Sequence, residues 1–380
     1  MRHRLLLVLL FSIWCGSYSF GQSPSASPTP STETRILGSS LEKHQDNRKN
    51  NPQRSRKRHE PSDDDIVKVA TDLVINNVLV SNQKGNLILG LQKEDFIVTE
   101  DGSPQTIDIF SRTETVPRSI VLIMDATVAN GPYREKSTEA AKVLVDDLAS
   151  QDRLAIVSAD LKLRLDFTND KTLLKKTLDS LNRDLDYRFY KSNSELRSNY
   201  KGLERNEFCT LVAVLDEMFD GGERQPIVIL ESDGNLVIWL KPDKDSPFPV
   251  SDSNVYKKWS RKKYLPNFGF SEVKEAIEQS RVTIYSIIPG LRFLGLSKDE
   301  QLARAKITLT NTNRFYGWNK ENNLPEIIPY YQYSEVETRI AGQTAMFKVA
   351  ELSGGFADFI EKPEDAWNVY SNIFTVDAIK

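Results

Sequence analysis

The sequence predicts an α/β protein: a doubly wound, mostly parallel sheet with helices on both faces, preceded by a small β-sandwich-like domain. Three observations predict it. A continuous apolar run at 120–124 and further strand patterns at 227–230 and 282–288 have the length and β-branched content of strands covered on both faces. Segments with apolar residues at helical spacing alternate with these runs, as a parallel sheet with crossover helices requires. Ahead of them, residues 64–113 carry several short strand patterns separated by turn signals, the mark of a small β module.

In chain order, Met1, Arg2, His3 and Arg4 precede an apolar run at 5–14, and small residues follow at Ser17, Ser19 and Gly21. A basic start, a short apolar core and small residues make a secretory signal peptide over 1–21. Trp14 before Cys15 suits a lipoprotein signal poorly, so secretion or residence in the periplasm or cell envelope is expected. Residues 22–63 are rich in Ser, Pro and Thr and then basic through Arg54, Arg56, Lys57 and Arg58. Such a stretch buries too little apolar surface to offset its ordering entropy and reads as a disordered linker. Its basic cluster is a candidate contact for an anionic envelope surface.

The β module spans 64–113. Strand patterns at 73–80 and 87–89 flank a turn at 83–86, and the run 96–100 meets Asp101-Gly102, a strong hairpin signal. The returning strand is expected at 106–110. The main domain then fills 117–380. Its first strand, at 120–124, ends in Asp125. A helix over 133–148 sets Ala140, Ala141, Leu144, Val145 and Leu148 on one face. Then come a strand at 154–157, a helix marked by Leu174, Leu178 and Leu181, the strand at 227–230, and a helix marked by Val273, Ala276 and Ile277. The strand at 282–288 and a helix over 344–352, closed by Gly354-Gly355, lead to a last strand at 356–360.

Composition narrows the chemistry. A formal net charge of −3 argues against a dedicated nucleic-acid binder. The three histidines, His3, His44 and His59, all precede the first segment that reads as folded, and Cys209 is the one thiol beyond the signal peptide. The folded part therefore holds no Ser-His-Asp triad, Cys-His pair or HExxH zinc site, and no phosphate-binding glycine loop follows a candidate strand.

Two stretches carry a resemblance. Ser119-Ile-Val-Leu-Ile-Met-Asp125-Ala-Thr127-Val-Ala129 resembles the first strand and metal loop of a von Willebrand factor type A (VWA) domain. Pro226-Ile-Val-Ile-Leu-Glu-Ser-Asp233-Gly234 resembles the strand that carries that family's later Asp-Gly. Asp95-Phe-Ile-Val-Thr-Glu-Asp-Gly ahead of them is similar to secreted bacterial members in which a short β module precedes the A domain. The resemblance implies a VWA/Rossmann-like fold and a cation site of the form Asp-x-Ser-x-Ser, a distant Thr and a later Asp. By position Asp125, Thr127, Thr210 and Asp233 match it. Ala129 stands where the second Ser belongs, and a methyl donates no lone pair, so the site is degenerate. Mg2+ or another divalent cation is the implied cofactor, since hard cations take oxygen ligands. An open position on it would accept an acidic side chain of a protein partner. The competing reading is that Asp125 and Asp233 cap helices and stabilise loops.

Two segments, 239–270 and 290–341, are long for connections in such a sheet. Both follow strands and should emerge at the edge where open α/β sheets place ligands. The first carries Tyr256, Trp259 and Tyr264 among basic residues; the second carries Tyr316, Trp318, Tyr330, Tyr331 and Tyr333. Aromatics with a polar handle are common interface anchors, and private mini-cores inside the segments are the alternative. The expected function is an exported, non-enzymatic binding or adhesion module that engages a protein partner, with no nucleic acid expected. The alternatives are a metal-independent envelope scaffold and a metal-dependent hydrolase using Asp125 and Asp233.

Overall fold

The computed structural model describes residues 35–41, 80, 88, 90–108, 110, 117–125, 131–184, 206–219, 224–247, 268–315 and 329–377. The hairpin signalled by Asp101-Gly102 joins β1 (Val98–Glu100) to an antiparallel β2 (Ser103–Gln105). Asp101 and Gly102 have φ values of 49° and 81°, the left-handed pair that a two-residue turn matching strand twist requires. The returning strand forms at 103–105 instead of 106–110, because the tight turn pairs residues directly beside it. None of residues 90–108 is buried. The remainder of the expected sandwich lies outside the described residues, as do the signal peptide over 1–21 and all of the 22–63 linker except 35–41.

Six further strands form one sheet in the order β5-β4-β3-β6-β7-β8. They are β3 (Arg118–Met124), β4 (Arg153–Ser158), β5 (Lys162–Thr168), β6 (Gln225–Glu231), β7 (Thr283–Pro289) and β8 (Ala357–Ile360). All neighbours are parallel except β5, which returns antiparallel beside β4. Among the described residues seven helices accompany the sheet: α1 (Arg134–Asp147), α2 (Lys171–Asp184), α3 (Glu207–Glu217), α4 (Phe270–Ser280), α5 (Lys298–Phe315), α6 (Pro329–Ser353) and α7 (Asp365–Asp377).

Side chains alternate across a strand, and here that alternation divides two cores. Ile120, Leu122, Ile227, Ile229, Tyr285 and Ile287 point to the face covered by α1, α2 and α7, meeting Leu144, Leu178 and Tyr370. Val121, Ile123, Val228, Leu230, Ile284 and Ile288 point to the opposite face, against α3, α4 and α6 through Phe208, Val273 and Met346. The fold is therefore doubly wound, as the apolar runs predict. β5 was not anticipated: its alternation of Leu163 and Leu165 with charged neighbours suits an edge strand.

Two segments depart from the sequence reading. The helix expected over 344–352 begins at Pro329, and α5 fills much of 290–341, so that segment is largely helical. Phe293, Ala305 and Val336 form a small core of their own there, with Leu291, Leu302 and Ile340 against it. Residues 35–41, assigned to the linker, are packed. Ile36 bridges Lys162 on the free edge of β5, and Leu37 and Leu41 enter the sheet core. Gly38 N–H, Ser40 N–H and the Ser40 hydroxyl donate to Glu217 Oε1 at 2.9, 2.9 and 2.8 Å. Two leucines and one carboxylate are enough to anchor a short stretch inside an otherwise polar run.

Because one carboxylate oxygen accepts all three bonds, Glu217→Ala should lower unfolding free energy by about 1–3 kcal/mol. It should also raise amide exchange at 37–41 selectively; unchanged exchange there would show that the leucines suffice.

Candidate functional site

The chain runs from β3 outward to β4 and β5, then returns to β6 on the other side of β3. The carboxyl ends of β3 and β6 thus border the point where strand order reverses, the usual ligand position of an open α/β sheet. Asp125 follows β3, and its N–H donates to Glu231 O of β6 at 2.9 Å. Ser232, Asp233 and Gly234 follow β6. Asp125 and Asp233 are brought together at this edge and are 5 % and 2 % exposed.

The turn after β6 is tightly tied. Ser232 Oγ donates to Asp125 Oδ2 at 2.9 Å and accepts Gly234 N–H at 3.0 Å. Asp233 Oδ1 accepts Asn235 N–H at 3.0 Å, and Oδ2 accepts Asn235 Nδ2 at 2.8 Å. Gly234 adopts φ +70°, and a Cβ there would lie 2.4 Å from Gly342 O of α6. A Cβ on Gly342 would in turn lie 2.6 Å from Asp233 O. Two glycines face to face let α6 rest directly on the Asp233-Gly234 turn.

That contact sets the charge of the site. Arg339, one helical turn before Gly342, donates from Nη1 to Asp233 Oδ2 at 2.7 Å and from Nε to Glu335 Oε1 at 2.7 Å. It is 5 % exposed. Burial opposes its charge, but Glu335 and Asp233 outweigh that cost and raise its pKa.

A further buried acid stands at the start of α3. Asn206 caps that helix, its side-chain oxygen accepting Phe208 N–H at 2.8 Å. Glu207 follows, fully buried, and its Oε1 accepts Leu236 N–H at 3.0 Å. Burial and the charges of Asp125 and Asp233 push its pKa well above the carboxylate range. Thr210 lies one turn on, where its hydroxyl donates to Ala159 O at 3.0 Å. The α3 group that senses the two aspartates is therefore Glu207, three positions from the threonine the sequence points to. Beside Asp125, a crevice is lined by Met124, Arg134, Ser137, Thr138, Ser158, Leu181 and Glu231. Tyr370 donates its hydroxyl to Glu231 Oε2 at 2.9 Å. Burial pushes the Glu231 pKa up to about 7, with Ser137 and Tyr370 acting against it and Asp125 with it.

The other sequence candidates separate. Thr127, Ala129, Tyr256, Trp259, Tyr264, Tyr316 and Trp318 lie outside the described residues, as does the side chain of Tyr330. Tyr331 and Tyr333 stand on the first turn of α6, 53 % and 44 % exposed. Sequence reasoning missed Glu207, Ser232, Glu335 and Arg339. The Glu335–Arg339 spacing of four is a visible helical ion-pair signal; the long-range partner Asp233 has no local one.

A six-coordinate Mg2+ needs oxygens free to converge at about 2.0–2.1 Å. Asp233 already accepts three hydrogen bonds, one from a guanidinium. Among the described residues no group of three His, Cys, Asp or Glu is placed to hold a metal ion. The described donors do not fit the implied cation.

No family model matches the chain, and no curated protein matches it. Its fold is similar to that of solved von Willebrand factor type A structures. The type A structure from Catenulispora acidiphila is 11 % identical, with 69 % of this chain and 43 % of that one covered at a TM-score of 0.35. The vWF domain of the type V pili tip protein Mfa5 from Porphyromonas gingivalis is 13 % identical, with 69 % and 95 % covered at 0.35. Proximal thread matrix protein 1 from the mussel byssus, with a zinc-occupied MIDAS motif, is 12 % identical, with 69 % and 48 % covered at 0.33. Likenesses at this level bear on neither the site nor the function.

Two predictions follow from the geometry. Gly342→Ala should lower unfolding free energy by about 1–3 kcal/mol in urea melts, since its methyl meets backbone that cannot turn away; a loss under about 0.5 kcal/mol would mean α6 can lift freely. Glu231 binds its proton more tightly folded than unfolded, so its contribution favours the fold at low pH and declines as pH rises from about 4.5 toward 7. The melting temperature should fall across that window, and Glu231→Gln should flatten the fall; an unchanged slope in the variant would place the titration elsewhere.

Proposed function

We propose that this chain is an exported binding module that engages a protein partner at the carboxyl-end edge of its sheet. The observation that carries the reading is the arrangement of that edge. In a parallel sheet the connections after β3, β6 and β7 leave from the same side, and here they include the two long segments. α6 reaches the same side from the opposite end: Arg339 sits level with Asp233, and Tyr331 lies eight residues before it, about 12 Å further along a helix rising 1.5 Å per residue. Exposed Tyr331 and Tyr333, the latter under Lys298 Nζ at 5.3 Å from its ring centroid, give that projecting end an amphipathic aromatic surface. Tyr256, Trp259, Tyr264, Tyr316, Trp318 and Tyr330 belong by sequence to the two long segments.

The signal-peptide pattern at 1–21 supports export to the periplasm or cell envelope, and the basic run at 54–58 suits an anionic envelope surface. No described helix is long and apolar enough to cross a membrane. A non-enzymatic role fits the confinement of all three histidines to positions 3, 44 and 59. A divalent cation at Asp125 and Asp233 is the finer part of the VWA expectation. The ties on Asp233 favour the reading in which the partner binds without one, which is that of a metal-independent envelope scaffold.

A photo-crosslinking amino acid placed at Tyr331, and separately at Gln151 before β4 on the opposite edge, tests the reading in envelope extract. A discrete crosslinked protein from position 331 and none from position 151 is expected. Equal products from both positions, or none from position 331, would contradict it.

A further inference from the structure

The geometry points to Arg339 as the resident cation of the strand-end acids, its guanidinium donating to Asp233 Oδ2 and to Glu335 Oε1 and so taking, on the Asp233 side, the place that a divalent ion would otherwise take. The inference rests on the candidate site, not on the identity of any partner.

Four carboxyl groups are buried around this edge, Asp125, Glu207, Glu231 and Asp233, with Glu231 turned to the Tyr370 hydroxyl and Glu207 to Leu236 N–H. Burying several acids together requires protons, hydrogen-bond donors or a cation. The structure supplies donors and a cation. Ser232 Oγ, Asn235 Nδ2 and the backbone N–H groups of Asn235 and Leu236 donate to these carboxylates. Arg339 brings the positive charge, itself 5 % exposed.

Arg339 is also held from several sides. Glu335, four residues earlier on α6, accepts its Nε, which leaves Nη1 directed at Asp233. Tyr133, at the end of the connection after β3, is buried and close enough to the guanidinium and to Asp233 for both to act on its ionisation. The Gly234–Gly342 contact seats α6 directly against the turn after β6. A side chain clamped in this way cannot yield to a hydrated ion without moving the helix. A planar fork suits a carboxylate already bonded elsewhere, whereas a small hard cation would strip Asp233 of its present donors. Ala129, the missing oxygen in the β3 loop, is consistent with a site that no longer needs to complete an octahedron.

The test uses the purified full-length chain with MnCl2 as probe, followed by calorimetric titration and thermal melting, with EDTA as the reverse arm. The wild type should show no saturable Mn2+ heat, and its melting temperature should stay within about 1 °C between EDTA and millimolar Mn2+. Arg339→Met removes the charge at similar length and should melt lower. Saturating Mn2+ should then raise its melting temperature by at least about 3 °C. That rise should disappear when Asp233→Asn is added.

Saturable Mn2+ binding by the wild type that is lost in Asp125→Ala would overturn the inference, and this arm stands even where Arg339→Met does not fold. A folded Arg339→Met protein indifferent to Mn2+ would overturn it equally. Partner capture is a separate readout: crosslinking at position 331 that persists in EDTA is expected. Its complete absence, with the Mn2+ results as stated, would remove the binding reading and leave the role of Arg339 intact.

Discussion

Arg339 can reach Asp233 only because two glycines touch. Gly234 and Gly342 bring the backbone of α6 onto the turn after β6, closer than any pair of side chains would allow. With the helix at that height, a guanidinium one turn earlier lies level with the carboxylate. The remaining features of the edge follow from this contact. Asp233 is buried with its carboxylate oxygens hydrogen-bonded; the turn after β6 is fixed by Ser232 and Asn235; and Tyr331 and Tyr333 near the start of α6 are exposed.

An ion pair in this position adds little stability beyond what apolar side chains of equal volume would provide, because both charges lose water. Its effect is on specificity of arrangement. Losing either partner leaves a buried charge, at a cost of about 3–5 kcal/mol, so alternative placements of α6 are disfavoured. The strand-end loops and the aromatic end of the helix are thus presented from a fixed base. The Asp233 carboxylate is closed off by Arg339, and the proposed partner contact falls to exposed Tyr331 and Tyr333.

Much of the fold was legible because its determinants are local. The runs within β3 and β6 are continuous and apolar and β7 is chiefly so, with Thr283 and Ser286 among its apolar residues, since both faces of these strands are covered. α1 is legible from Ala140, Leu144 and Val145 on one face. The hairpin at Asp101-Gly102 is legible from its turn pair alone. What escaped has one cause in common: the decisive partner is far away in sequence. β5 carries charges on every second residue and makes sense only beside β4. Residues 35–41 read as linker until Leu37 and Leu41 meet the sheet core and Glu217 receives their backbone. Thr210 matches a motif by sequence order, but the three-residue offset that puts Glu207 toward the aspartates depends on where Asn206 starts the helix. Arg339 looks like an ordinary helix cation paired to Glu335 until the sheet brings Asp233 to it.

The central claim is that a guanidinium, and not a divalent ion, balances the acids at the end of β3 and β6. Diffraction from crystals grown in millimolar MnCl2, collected at the manganese absorption edge, tests it most directly. The account predicts no anomalous peak within coordination distance of Asp125 or Asp233, with Arg339 Nη1 still on Asp233 Oδ2. A strong anomalous peak between the two aspartates, with Arg339 displaced, would contradict it.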